Sequence, residues 1–243
     1  MQAIGYFVSL PFIYLLALLP FPVFYIFSDL VFFVLYYVIG YRKKVVKQNL
    51  ENSFPEKDEK EIKRIQKRFY RYLCDLFLET FKTLVISKKS ALKRCKMDDN
   101  AFKLLQKYYT QNKRIIIVMG HYGNWEWAGN TFSLMCKQQL YVIYHPIKNK
   151  YFDALIYRMR TRFGTKLISM KDTFKEMIRN REEINATAFI ADQTPPPENA
   201  YWTKFLNQDT PVFWGTELIA KKLNIPVIYI TVKRHGRGYY KIF

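Results

Sequence analysis

The amino-acid sequence predicts an α/β fold, a mostly parallel central sheet with flanking helices, preceded by an N-terminal membrane helix. Two observations carry this. From about Asp99 onward, short apolar β-branched runs alternate with longer helical stretches, the pattern of βαβ units with right-handed crossovers. Before them, residues 1–40 hold a single charged side chain, Asp29, among Phe, Leu, Ile, Val and Tyr. Half of the 243 residues are apolar, enough to bury a full core without a covalent staple.

The apolar stretch is nearly twice the ~20 residues that cross a bilayer, and Pro11, Pro20 and Pro22 interrupt it. One tilted span or a re-entrant pair both fit. The stretch lacks the basic start, short apolar core and small-residue cleavage site of a signal peptide. Arg42, Lys43, Lys44 and Lys47 follow it at once, which by the positive-inside tendency puts the rest of the chain in the cytoplasm. Residues 1–40 are therefore expected to be an anchor, 41–97 a basic helical segment near the membrane, and 98–243 the α/β domain. A chain lacking the anchor is expected to keep its fold. Asp58 and Glu61 have the spacing of a capping box, and Ile62, Ile65, Phe69, Leu73, Leu76, Phe77 and Phe81 recur behind them as one apolar face. Strands are expected at Ile115 to Met119, Tyr141 to Tyr144, Lys166 to Ser169, Thr187 to Ala191 and Val227 to Val232, with helices starting near Asn124, Tyr151, Asp172 and Trp214. The chain stops at Phe243 inside what reads as another strand, so a continuation is expected.

The formal net charge is +19. Between Arg42 and Lys96 there are 17 Lys and Arg against 7 Asp and Glu, so about half of the excess follows the anchor directly. A polybasic segment in that position meets anionic lipid head groups. No nucleic-acid-binding motif, P-loop or GxGxxG is present, and the expectation is a membrane surface and no nucleic acid. Cys74, Cys95 and Cys136 form neither a CxxC nor a His-paired zinc spacing; they read as core residues in a reducing compartment. No metal or other cofactor is expected.

Gly120-His121-Tyr122-Gly123-Asn124-Trp125-Glu126 follows the Ile115 to Met119 strand directly, and ligand crevices of open α/β sheets lie at the carboxyl ends of strands. Gly123 supplies a turn and Asn124 caps the next helix, whose first turn holds Glu126. The carboxylate is expected to fold back onto the imidazole, fixing its tautomer and leaving the other ring nitrogen as a general base. No further His completes a metal set.

The H-x4-E of His121 and Glu126 resembles the H-x4-D/E motif of glycerolipid-type acyltransferases, and the chain resembles more closely the lauroyl/myristoyl acyltransferase family of lipid A biosynthesis. The likeness rests also on Asn49-Leu50-Glu51-Asn52-Ser53-Phe54-Pro55-Glu56 and Tyr144-His145-Pro146-Ile147-Lys148-Asn149. It extends to Arg158-Met159-Arg160-Thr161-Arg162-Phe163-Gly164 and to Ala191-Asp192-Gln193 leading to Phe205-Leu206-Asn207 and Thr210-Pro211. Two positions depart from the family pattern: His145 stands where Arg is usual, and Asn207 where Gly is usual. The resemblance implies an enzyme of the bacterial inner membrane that moves a fatty acyl chain from an acyl carrier protein thioester to a hydroxyl of a glycolipid on the cytoplasmic side. His121 would deprotonate the acceptor and Glu126 orient it, while Arg160 or backbone N–H groups near Gly123 receive the oxyanion. For Arg160 a plain surface charge is the alternative; for Asp192, expected to position loops or acceptor hydroxyls, it is a helix or turn cap. Asn124, Arg158 and Gln193 complete the expected substrate contacts, and Trp125, Trp127, Trp202, Phe205, Phe213 and Trp214 are candidates to line an acyl tunnel. An aminolipid or lysophospholipid acceptor is the rival within enzymes, and an inactive membrane-surface scaffold the rival outside them.

Overall fold

The computed structural model describes residues 2–243. In chain order its first part is helical: α1 (Gln2–Leu18), α2 (Phe21–Phe33) running on as a π-helical turn over Val34–Ile39, α3 (Lys43–Ser53), α4 (Glu59–Lys82) and α5 (Lys88–Arg94). The segment Phe21–Ile39 is long and apolar enough to cross a membrane, with a mean hydropathy of 1.9. Gly40 ends it with φ +67°, a left-handed turn open to glycine at no steric cost. The Asp58 cap forms as expected, its carboxylate accepting from the Glu61 N–H at 2.7 Å. The buried stripe of α4 differs from the expected one, however. Phe69 and Phe77 face outward, while Ile62, Gln66, Tyr70, Cys74, Asp75, Leu78, Glu79 and Lys82 face inward. Two carboxylates and an ammonium lie inside because neighbouring elements supply hydrogen-bonding partners for all three.

The second part begins with β1 (Cys95–Met97) and α6 (Asp99–Thr110), then β2 (Ile115–Met119), α7 (Trp125–Met135), β3 (Gln139–Tyr144), α8 (Lys150–Thr161), β4 (Lys166–Ser169), α9 (Thr173–Arg179) and β5 (Asn185–Ile190). It continues with β6 (Tyr201–Phe205), β7 (Gln208–Val212), α10 (Gly215–Leu223), β8 (Val227–Tyr229), β9 (Val232–Gly236) and β10 (Tyr239–Ile242). The central sheet has five strands, all parallel, in the order β4-β3-β5-β2-β8. Alternation along β2 fills both faces. Ile115, Ile117 and Met119 pack with Trp127, Ala128 and Phe132 of α7, whereas Ile116 meets Met177 of α9 and Ala220 of α10.

The expected strand from Val227 to Val232 is two strands. The Ile230 N–H still bonds the Val118 carbonyl at 3.0 Å, after which the chain leaves the sheet and Val232 pairs antiparallel with Ile242. β9, β10 and β1 form a small second sheet, with β1 parallel to β10. The β6–β7 hairpin stands apart and turns at Leu206 and Asn207, both with positive φ. Asn207 takes φ +60°, a left-handed conformation that Asn tolerates better than most residues with a side chain.

No gap in packing falls at residue 40. Tyr25 donates to Glu79 at 2.7 Å, Ser28 donates to Asp75 at 2.7 Å, and the Lys82 ammonium donates to the carbonyls of Ala17, at 2.9 Å, and Leu19. Burial pushes Lys82 down to about 8. Arg237, in the β9–β10 turn, grips Asp75 and Asp29 together. Gly238 beside it has φ +72°, and any side chain there would collide with the Tyr25 hydroxyl.

Candidate active site

The parallel register of β2 and β5 sets Met119 level with Ile190. Two residues beyond each strand end stand His121 and Asp192, which the same register brings face to face. The Asp192 carboxylate accepts from His121 twice, from Nδ1 at 2.5 Å and from the backbone N–H at 2.6 Å. Gly120 makes this approach feasible, since a Cβ there would lie 3.0 Å from Asp192 Oδ2. Gly123, at φ +69°, passes so close to the Val232 backbone that a side chain has no room. With Nδ1 donating to the carboxylate, the His121 Nε2 lone pair is free to accept a proton. The Gln193 amide lies 3.5 Å from that nitrogen, and the Trp125 ring stands edge-on to the imidazole with centroids 4.7 Å apart.

Glu126 is not the group on the imidazole. It lies in the first turn of α7 and faces α8, where Arg160 donates to it through Nε, at 3.1 and 3.0 Å, and through Nη2 at 2.5 Å. Both side chains are largely shielded from solvent. Burial opposes the guanidinium charge, but the hydrogen bonds and negative charge of Glu126 outweigh it and raise the Arg160 pKa. Helix geometry accounts for the difference from the sequence expectation: the H-x4-E spacing brings both residues to one rim, while strand register gives Nδ1 to Asp192.

Asn124 is fully buried and caps α7, accepting from the Trp127 N–H at 2.9 Å. Its amide donates to Glu79 at 2.8 Å, so it holds the loop and does not face solvent. Arg158 is exposed on α8. His145 lies at the rim with its Nδ1 2.9 Å from the Pro146 carbonyl oxygen.

Between the sheet and α7 lies a cavity of about 240 Å³. His121, Glu126, Tyr144, His145, Arg160 and Gln193 ring its polar side, and Ile117, Phe132, Leu140, Ala188 and Ile230 line its apolar depth. Ala128, Gly129 and Ala188 leave the space through their small size. Of the aromatics expected to line a tunnel, Trp125 does so. Trp127 is buried behind α7, donating to the Glu79 carbonyl at 3.2 Å, and Trp202, Phe205 and Trp214 are exposed. Sequence reasoning missed Glu79, whose carboxylate accepts from Tyr25, Asn124 and Tyr240; a lone Glu within a charged helix carries no signal of burial.

An imidazole held by a carboxylate, a guanidinium held by a second carboxylate and an apolar slot behind them thus meet at one rim. No curated protein matches the chain. The family model for bacterial lipid A biosynthesis acyltransferase matches residues 1–243, and the chain belongs to this family of acyltransferases.

Proposed function

We propose that the enzyme transfers a fatty acyl group from an acyl carrier protein thioester to a hydroxyl of a lipid A precursor at the cytoplasmic face of the bacterial inner membrane. The observation that carries the reading is the His121 imidazole, bonded at Nδ1 to Asp192 and bordering an apolar cavity. His121 Nε2 takes the proton of the acceptor hydroxyl while Asp192 stabilises the imidazolium that forms. The hydroxyl oxygen bonds to the thioester carbonyl carbon, and the carbonyl electrons move onto its oxygen. Arg160, fixed by Glu126, offers its remaining donors and its charge to that oxyanion. Collapse breaks the carbon–sulfur bond, and the thiolate recovers the proton from the imidazolium. The acyl chain occupies the slot beneath α7. Gln193 and Arg158 meet polar substrate groups at the rim, and Asn124 acts through the loop it holds.

The test is mass spectrometry of a lipid A precursor incubated with acyl carrier protein thioester and the full-length enzyme. His121→Ala is expected to lose about 10²- to 10⁴-fold in turnover. Asp192→Asn should lose comparably, and the double variant should fall no further than His121→Ala, as for residues acting as one unit. Near-normal transfer by His121→Ala sinks the mechanism. Faster acylation of a lysophospholipid than of the lipid A precursor sinks the acceptor assignment alone.

A further inference from the structure

We infer that α1 and α2 lie in the plane of one membrane leaflet, with the bilayer as the partner of their outer face, and do not cross it. The inference rests on the membrane location proposed above and adds the orientation. At about 1.5 Å per residue, the 19 residues of Phe21–Ile39 match the ~30 Å hydrocarbon thickness. Length alone would permit a span. Its surroundings do not.

Both ends of this helix rest on the body of the enzyme. At its start, the Phe21 ring meets Trp127 edge-on at 6.3 Å, and the Arg94 guanidinium lies 3.1 Å from the Phe21 centroid. Trp127 immediately follows Glu126. Midway, Ser28 bonds Asp75 and Asp29 bonds Arg237. At its end, Tyr36 donates to Gln66 at 3.4 Å, and Lys67 stands 5.1 Å over the Tyr37 ring. The partners therefore descend along α4 as the chain ascends α2, so the two helices run antiparallel over the whole length. A transmembrane α2 would carry Lys63, Lys67, Arg71, Asp75 and Glu79 through the hydrocarbon. Ionised side chains in the hydrocarbon are costly and rare. It would also place Trp127 and Gln66, parts of one packed body, at opposite membrane faces.

The outward face of the pair is apolar: Ile4, Phe12, Ile26, Leu30 and Phe33 are each more than half exposed. Basic groups stand beside it: Lys67 lies over the half-exposed Tyr37 ring, and Lys43 and Arg71 lie over the buried Tyr36 and Phe32 rings next to it. An apolar stripe edged by cations suits an interface, with the exposed side chains at acyl depth and the charges among anionic head groups. Because α2 and α4 also hold the start of α7 through Glu79 and Trp127, the rim of the active site is fixed relative to the leaflet.

Depth measurement decides the question. Spin labels on Val23→Cys, Leu30→Cys and Val38→Cys, each in the full chain bound to vesicles containing anionic phosphatidylglycerol, report immersion through oxygen and nickel-chelate accessibility. Unsubstituted protein provides the blank for its own three cysteines. An in-plane helix gives equal depth at all three positions, and labels at Val8→Cys and Leu15→Cys on α1 agree with them. A span gives Leu30 deepest and Val23 and Val38 near opposite surfaces, about 22 Å apart along the normal, and overturns the orientation alone. Failure of the unlabelled protein to float with vesicles overturns the membrane location as well.

Discussion

Glu79 shows how much a single carboxylate can hold in place. It is fully buried and bonded by Tyr25 from α2, Asn124 from the loop between β2 and α7 and Tyr240 from β10. Burial raises its pKa, and the three donors offset only part of that. A carboxyl whose folded pKa lies above its unfolded value favours the native state most at pH below the unfolded value, about 4.3. That contribution is lost as pH rises through the folded value. Glu79→Gln, whose amide oxygen can face Asn124 and Tyr240 while its NH₂ donates to the Tyr25 hydroxyl, removes the ionisation. Urea midpoints measured from pH 5 upward should therefore decline less with pH in Glu79→Gln than in the wild type. Glu79→Leu, which leaves three donors unpaired, should cost about 3 kcal/mol or more. Equal pH slopes for wild type and Glu79→Gln would mean that Glu79 does not titrate in the range. The same burial disfavours the thiolates of the cysteines, pushing Cys74 up to about 11 and Cys95 and Cys136 up to about 12.

Among the elements, the two strand ends and the loop between β2 and α7 build the candidate site, and their glycines are expected to separate activity from stability. Gly120→Ala adds a methyl 3.0 Å from Asp192 Oδ2. It should displace the carboxylate and lower turnover with little change in the urea midpoint. Gly123→Ala meets a left-handed backbone, about 1–2 kcal/mol by itself, and collides with the Val232 backbone, so its main loss should be in stability. Equal stability of the two variants would contradict the close approach at Gly123. This contrast also marks what the sequence makes legible. Apolar β-branched runs and a histidine just past one of them mark β2 and the candidate site, because strand ends are where α/β sheets bind ligands. The partner of His121 is not legible from local spacing. Asp192 reaches it through the β2–β5 register, a pairing between residues 71 positions apart, whereas Glu126 is near in sequence and turned to Arg160 by its helix. The inward face of α4 departs from the expected one for a related reason: Phe69 and Phe77 are apolar yet exposed, and Asp75 and Glu79 are charged yet buried, because their partners lie on α2, β10 and the β9–β10 turn.

For the whole molecule, the question is whether the apolar N-terminus is a tether or a part of the fold. Residues 1–40 stand out by composition, and a detachable anchor is the natural expectation. Hydrogen bonding argues otherwise. Deleting them removes Tyr25 from Glu79, Ser28 from Asp75, the Ala17 and Leu19 carbonyls from Lys82 and Asp29 from Arg237. It also uncovers the Trp127 edge on which Phe21 rests. Lys82 is left without either carbonyl, at about 1–3 kcal/mol for an unsatisfied group, while Glu79, Asp75 and Arg237 each lose one of several partners, and the buried side chains Phe24, Phe32 and Tyr36 no longer cover Tyr70, Cys74 and Leu78 of α4. The truncated chain is therefore expected to lose cooperative unfolding and near-ultraviolet circular dichroism, and to be inactive even on acceptor presented in detergent micelles. A second variant separates folding from anchoring. Ile26→Ser with Leu30→Ser changes only outward side chains, so it should unfold like the wild type and turn over micellar acceptor normally while binding vesicles more weakly. A truncated chain that unfolds cooperatively at the wild-type midpoint would make residues 1–40 a tether after all, and would reduce the contacts of α2 with α4 to incidental packing.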